Sequence, residues 1–290
     1  MRSEEEMYRL FLDIAREDPR ILALYMNGSR VNPNAERDIF QDYDIVYVVK
    51  ETESFRCDGD WLPRFGTVLY MQYPDESPDH PSDKENFYGW LMQLADGNRV
   101  DLHVETLGHA RRHIGDDTLC TILLDEQNLL PPIPPATDSG YWVKKPTEAQ
   151  YHACCNEFWW CGNNLAKGLW RGEMPYVQDM ANFVVRKQLE KMLSWKVGVQ
   201  TAFCVSVGKS AKYMGRWLTA GEYQAYLATY FGGDAHAAWE AVVTMCGLFE
   251  QTARAVGQSL GYGYNEEEAR AAYGFLQHVR GLPVDAAAVL

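Results

Sequence analysis

The chain has 290 residues, enough for two ordinary domains, and 47% of them are apolar, enough to bury a full core in each. A net charge of −13 argues against nucleic acid as a partner and suits a small cationic one, because an acidic cleft concentrates the opposite ion. No run of about 18 apolar residues appears, which excludes a helical membrane span. Seven Cys, an odd number with no C-x-x-C pair and no secretory leader, predict reduced thiols and a cytoplasmic setting.

Ser3 and Glu6 stand at capping-box spacing ahead of the stripe Met7, Leu10, Phe11, Ile14, which predicts a helix to about Arg16. Ile21 to Met26 reads as a buried strand, and Asn27-Gly28-Ser29-Arg30 turns directly after it. A second strand runs from Asp42 to Val49. Glu51 to Phe65 reads as a helix broken by Pro63, Thr67 to Tyr73 as a strand, and Pro74 to Asp83 as a polar loop. Tyr88 to Leu94 and Arg99 to Glu105 flank Asp96-Gly97 and read as a hairpin, since Asp-Gly supplies the positive φ of a tight turn. Thr106 to Asn128 reads as a helix.

Pro131-Pro132-Ile133-Pro134-Pro135 is a semi-rigid spacer and the expected boundary between domains 1–135 and 136–290. Strand signals fade beyond it. Helices are predicted at 147–171, 175–200, 210–218, 220–231, 234–260 and 265–280. The expected class is α+β: a mixed sheet with helices, followed by a C-terminal helical bundle.

Asp42 and Asp44 project from one face at the start of an apolar strand. Two anions side by side repel, so a cation is expected between them, and a hard divalent ion completed by substrate phosphates fits. Gly28 and Ser29 lie at a turn where backbone N–H groups approach a phosphate. Asp101 is a third carboxylate on a strand whose other face, Val100, Leu102 and Val104, is apolar. His103 and Glu105 share its face, so alternation alone does not single it out; its partnership with Asp42 and Asp44 does.

Together these residues resemble the nucleotidyltransferase superfamily, which shares the fold of the DNA polymerase beta catalytic core. Gly28-Ser29-Arg30, Phe40-Gln41-Asp42-Tyr43-Asp44-Ile45, Asp101-Leu102, Cys154-Cys155-Asn156-Glu157-Phe158-Trp159 and Gly208-Lys209 resemble more closely the aminoglycoside 6-adenylyltransferases, the streptomycin-resistance enzymes. That resemblance covers nearly the whole chain. It implies AMP transfer from ATP, with Mg²⁺, to a hydroxyl of a cationic aminoglycoside, foremost the 6-hydroxyl of streptomycin, with loss of pyrophosphate. Asp42, Asp44 and Asp101 are then the metal ligands, with Asp101 a ligand, a general base or both. Gly28, Ser29 and Arg30 are the phosphate-binding candidates. Lys209 and Lys212, three apart at an expected helix start, suit a triphosphate or form an ordinary solvated helix end. Glu157 and Asp179 are the candidates for holding the acceptor, expected in a cleft between the domains. The rival readings are a nucleotidyltransferase acting on another small molecule or a protein hydroxyl, and a non-catalytic nucleotide-binding module.

Overall fold

The computed structural model describes residues 1–289. The chain divides into two compact units, Met1–Gly140 and the remainder from Tyr141, so the division falls a few residues beyond the Pro-rich spacer.

The first unit is built on a six-stranded sheet. Helix α1 (Glu4–Glu17) opens with the capping box: Ser3 Oγ accepts from the Glu6 N–H at 3.2 Å, and Glu6 Oε2 accepts from the Ser3 N–H at 2.7 Å. Its buried stripe of Met7, Phe11 and Ile14 packs on one face of the sheet. The strands are β1 (Ile21–Asn27), β2 (Tyr43–Val49), β3 (Val68–Gln72), β4 (Phe87–Leu94), β5 (Arg99–Thr106) and β6 (Cys120–Leu124), in spatial order β3-β4-β5-β2-β1-β6. All neighbours are antiparallel except the central pair β2 and β5, which run parallel. That pairing sets Asp44 beside Asp101, and the β1 register sets Asn27 beside Asp44.

The alternation of β2 and β5 sorts the two faces. Tyr43, Ile45, Tyr47, Val100, Leu102 and Val104 join the core under α1. Asp44, Val46, Val48, Asp101, His103 and Glu105 turn the other way. A smaller apolar cluster with Ala23, Tyr25 and Ala110 covers part of that second face. Covering is why Glu105 is buried although its alternation reads as solvent-facing. The Tyr25 hydroxyl donates to Glu105 Oε2 at 2.5 Å, and His109 pairs with the other Glu105 oxygen.

Two expectations for this unit are corrected. Thr106–Asn128 is not one helix. It holds the short helix α3 (Leu107–His113), which stops before Gly115 at φ +87°, and then strand β6. The run Cys120-Thr-Ile-Leu-Leu gains more as an edge strand on β1 than as a further helical turn. Glu51–Phe65 reduces to the single turn α2 (Glu53–Arg56) and a 3-10 turn (Leu62–Phe65) holding Pro63.

The second unit is helical: α4 (Glu148–Trp170), α5 (Met174–Asp179), α6 (Arg186–Gln200), α7 (Ala220–Leu227), α8 (Ala235–Leu260) and α9 (Glu266–Gly281). Thr147 and Gln150 cap α4 reciprocally, and Gly261 at φ +77° ends α8. Phe158 of α4 stacks on Phe249 of α8 with centroids 3.7 Å apart at the centre of the core. The helix expected over 175–200 is continuous but carries a π-helical stretch, Met180–Val185, between α5 and α6. The helix expected at 210–218 is absent. Two 3-10 turns, Lys209–Ala211 and Met214–Arg216, stand there, because Ser210 and Ala211 both adopt positive φ.

Candidate active site

Asp42, Asp44 and Asp101 come together. One oxygen of each lies within 4.8 Å of those of the other two. Asp42 immediately precedes β2, Asp44 is its second residue, and Asp101 is the third residue of β5. Burial first, then the neighbouring Asp42 and Asp101 carboxylates, push the Asp44 pKa up to about 7. A buried carboxylate beside two others is short of positive charge.

Part of that charge comes from Arg99, which the sequence reading passed over. Its Nε and one terminal nitrogen donate to the two oxygens of Asp101, each at 2.8 Å, and its Nε lies 3.8 Å from Asp42 Oδ2. The signal was present: Arg99 and Asp101 stand two apart on one strand and so share a face.

Gly28 sits against the same cluster. Its φ is +80°, and a Cβ placed there would lie 1.9 Å from Asp44 Oδ2, so only glycine lets the end of β1 pass this carboxylate. The Gly28 N–H is committed to the Leu119 carbonyl at 3.0 Å, and Ser29 then opens a 3-10 turn. Gln41, from the segment leading into β2, reaches Ser29 Oγ with its side-chain amide nitrogen at 3.4 Å, while its side-chain Oε1 is buried without a hydrogen-bond partner. Arg30 has an internal task. It donates to the carbonyls of Asp42 at 2.9 Å and Gln41 at 2.7 Å, and its guanidinium lies 3.6 Å over the Tyr43 ring. It braces the segment that delivers Asp42.

In the helical unit the other candidates scatter. Glu157 lines a cavity of about 680 Å³ and accepts from Cys161 Sγ at 3.5 Å. Asp179, exposed at the end of α5, does not line it, and neither do Lys209 and Lys212. The Lys212 ammonium instead lies 5.0 Å over the Tyr213 ring. The cavity draws its cations from Lys144, Lys145 and Lys191, with Gln150, Gln188 and Trp195 among its walls. Lys144-Lys145 ahead of Pro146, in so acidic a chain, was the readable sign of it.

Three carboxylates at the starts of the two central strands and a glycine-serine turn against them form an arrangement suited to a cation and a phosphorylated ligand. Residues 1–279 match the streptomycin adenylyltransferase family model. The chain is 36% identical over 265 residues to an aminoglycoside 6-adenylyltransferase of Bacillus subtilis strain 168, covering 91% of this chain and 93% of that one. It is 34% identical over 269 residues to the enzyme of the same name from Staphylococcus aureus, covering 92% and 95%. The crystal structure of an aminoglycoside 6-adenyltransferase from Bacillus subtilis aligns with 97% of this chain and 100% of its own at 30% identity, with a TM-score of 0.49.

Proposed function

The chain belongs to the streptomycin adenylyltransferase family, and from that premise we propose that it transfers AMP from ATP to a hydroxyl of an aminoglycoside, foremost the 6-hydroxyl of streptomycin, releasing pyrophosphate. The observation that carries this reading is the convergence of Asp42, Asp44 and Asp101 within 4.8 Å.

A divalent ion fits the donor set. All three groups are oxygen donors, as Mg²⁺ prefers, and Asp44 in particular lacks a full positive counter-charge. Asp42, Asp44 and Asp101 would hold it, and when bound it neutralises triphosphate oxygens and polarises the α-phosphoryl group. The chain's own groups do the rest. The Ser29 hydroxyl donates to a phosphate oxygen, with Gln41 orienting it. Asp101 accepts the proton of the attacking hydroxyl as that oxygen bonds to the α-phosphorus and the bond to the β-phosphate oxygen breaks. Glu157 and Asp179 offer carboxylates to the ammonium and guanidinium groups of the acceptor.

The proposed setting is cytoplasmic. Seven unpaired cysteines, five of them buried, suit a reducing compartment. Among the described residues no helix is long and apolar enough to cross a membrane.

The test is incubation with Mg²⁺, each nucleoside triphosphate in turn and a panel of aminoglycosides, following pyrophosphate and the mass of the drug. One adenylyl group added to streptomycin with ATP is the expected result. Absence of product with every acceptor, from protein that melts cooperatively, would overturn the reading.

A further inference from the structure

The triad already contains a cation of its own. Arg99 grips both oxygens of Asp101 in a two-point hydrogen bond and lies close to Asp42, so it occupies donor directions that a metal ion needs. A guanidinium is charged at every accessible pH and cannot yield by losing a proton. It can yield only by moving. Arg99 is free to do so: it is the first residue of β5, and its side chain is 48% exposed. Arg186 of the helical unit shows the opposite condition, being 1% exposed and bonded to both the hydroxyl and the carbonyl of Thr229.

We propose that Arg99 is the resident counter-ion of the triad, which a divalent cation displaces from Asp101 and Asp42 on binding, so that Arg99 sets how tightly the site takes metal. Without metal, Arg99 offsets repulsion among three crowded carboxylates and fixes the Asp101 rotamer. With metal, a guanidinium and a dication sharing one carboxylate repel, and the arginine swings toward solvent. Arg99 is thus a positioning residue whose removal has opposite effects on the two states. The proposal rests on the metal-binding reading of the triad.

The test is direct binding of Mn²⁺, followed by electron paramagnetic resonance without nucleotide, to the wild-type chain, Arg99→Gln, Arg99→Lys and Asp42→Asn. Arg99→Gln is expected to bind Mn²⁺ about tenfold more tightly, the scale of one unit-charge repulsion over a few ångströms at a partly screened site. Arg99→Lys, which keeps the charge, stays near wild type, and Asp42→Asn loses the ion. Thermal melting gives a second reading. Metal-free Arg99→Gln melts below wild type, and saturating Mn²⁺ raises its melting temperature by more than it raises that of wild type. Equal or weaker Mn²⁺ binding by Arg99→Gln, with wild type binding normally, overturns the counter-ion role alone. Failure of wild type to bind Mn²⁺, or undiminished binding by Asp42→Asn, overturns the metal reading and this proposal with it.

Discussion

The two units solve opposite electrostatic problems with mirrored inventories. The sheet unit gathers three carboxylates around one arginine; the cavity of the helical unit gathers three lysines around one glutamate. A net charge of −13 foretells the first and hides the second. The difference teaches that overall charge constrains the partner's class only where the local donor set agrees with it. The acidic cluster suits a cation, whereas the lysine-lined cavity suits an anion.

The acidic side of the comparison breaks most completely at Asp44. Asp44→Asn removes a metal donor, and turnover is expected to fall by about 10³-fold or more, the scale seen when transition-state charge stabilisation is lost. The same change should make the metal-free protein more stable. The Asp44 pKa is raised to about 7 in the folded chain, against an ordinary carboxylate range near 4 when unfolded. Between those values the folded state holds the extra proton, so the contribution of Asp44 to stability is present at low pH and is lost as pH rises toward 7. Above pH 7 the neutral asparagine avoids that loss and should gain about 1–3 kcal/mol, allowing for screening. Thermal melts of both proteins from pH 4 to 8 check it: the curves should separate as pH rises, and a constant offset would remove the buried-charge account.

Gly28→Ala attacks the same cluster through the backbone. The new methyl would meet Asp44 Oδ2, at a φ that side chains rarely adopt. A stability loss of about 3 kcal/mol or more is expected from the strain and the clash together. Urea unfolding measures it. Pairing Gly28→Ala with Asp44→Ala, which clears the space, should recover much of the loss, since contacting sites are not additive.

These residues also show what the sequence made legible. Gly28, Asp42, Asp44 and Asp101 were readable because their spacing along strands and turns is local, and strand alternation fixes which face each takes. The parallel pairing of β2 with β5 that sets Asp44 beside Asp101 is a long-range fact with no local mark. Strand β6 was misread because a run of Cys, Thr, Ile and Leu is compatible with a helix until an open sheet edge is present to receive it. Arg30 looked like a phosphate ligand by its position after Ser29, yet the carbonyls of Gln41 and Asp42 claim its guanidinium. Lys209 and Lys212 had an expected helix start and the family-like Gly208-Lys209 to recommend them, and the left-handed backbone at Ser210 and Ala211 removes the helix start. The cavity lysines come from segments 46 residues apart (144–145 and 191), which no local pattern joins.

The basic side of the comparison is sharpened by two substitutions in that cavity. Lys191→Gln removes one of its three ammonium groups and is expected to weaken inorganic pyrophosphate binding in the cavity roughly five- to tenfold by calorimetry, the scale of one charge-assisted hydrogen bond at a partly exposed site. The KM for the aminoglycoside should barely change. Glu157→Gln is the converse and the smaller effect. If the carboxylate holds a cationic acceptor, the aminoglycoside KM rises about two- to fivefold and the KM for ATP does not. If the cavity serves an anion, removing its one carboxylate leaves the acceptor KM unchanged and tightens pyrophosphate binding in the cavity, because three lysines then face the anion with no competing charge. Glu157 is therefore the residue whose substitution distinguishes an acceptor subsite from an anion site, and steady-state kinetics with each substrate varied separately, beside calorimetry with pyrophosphate, reads the sign directly.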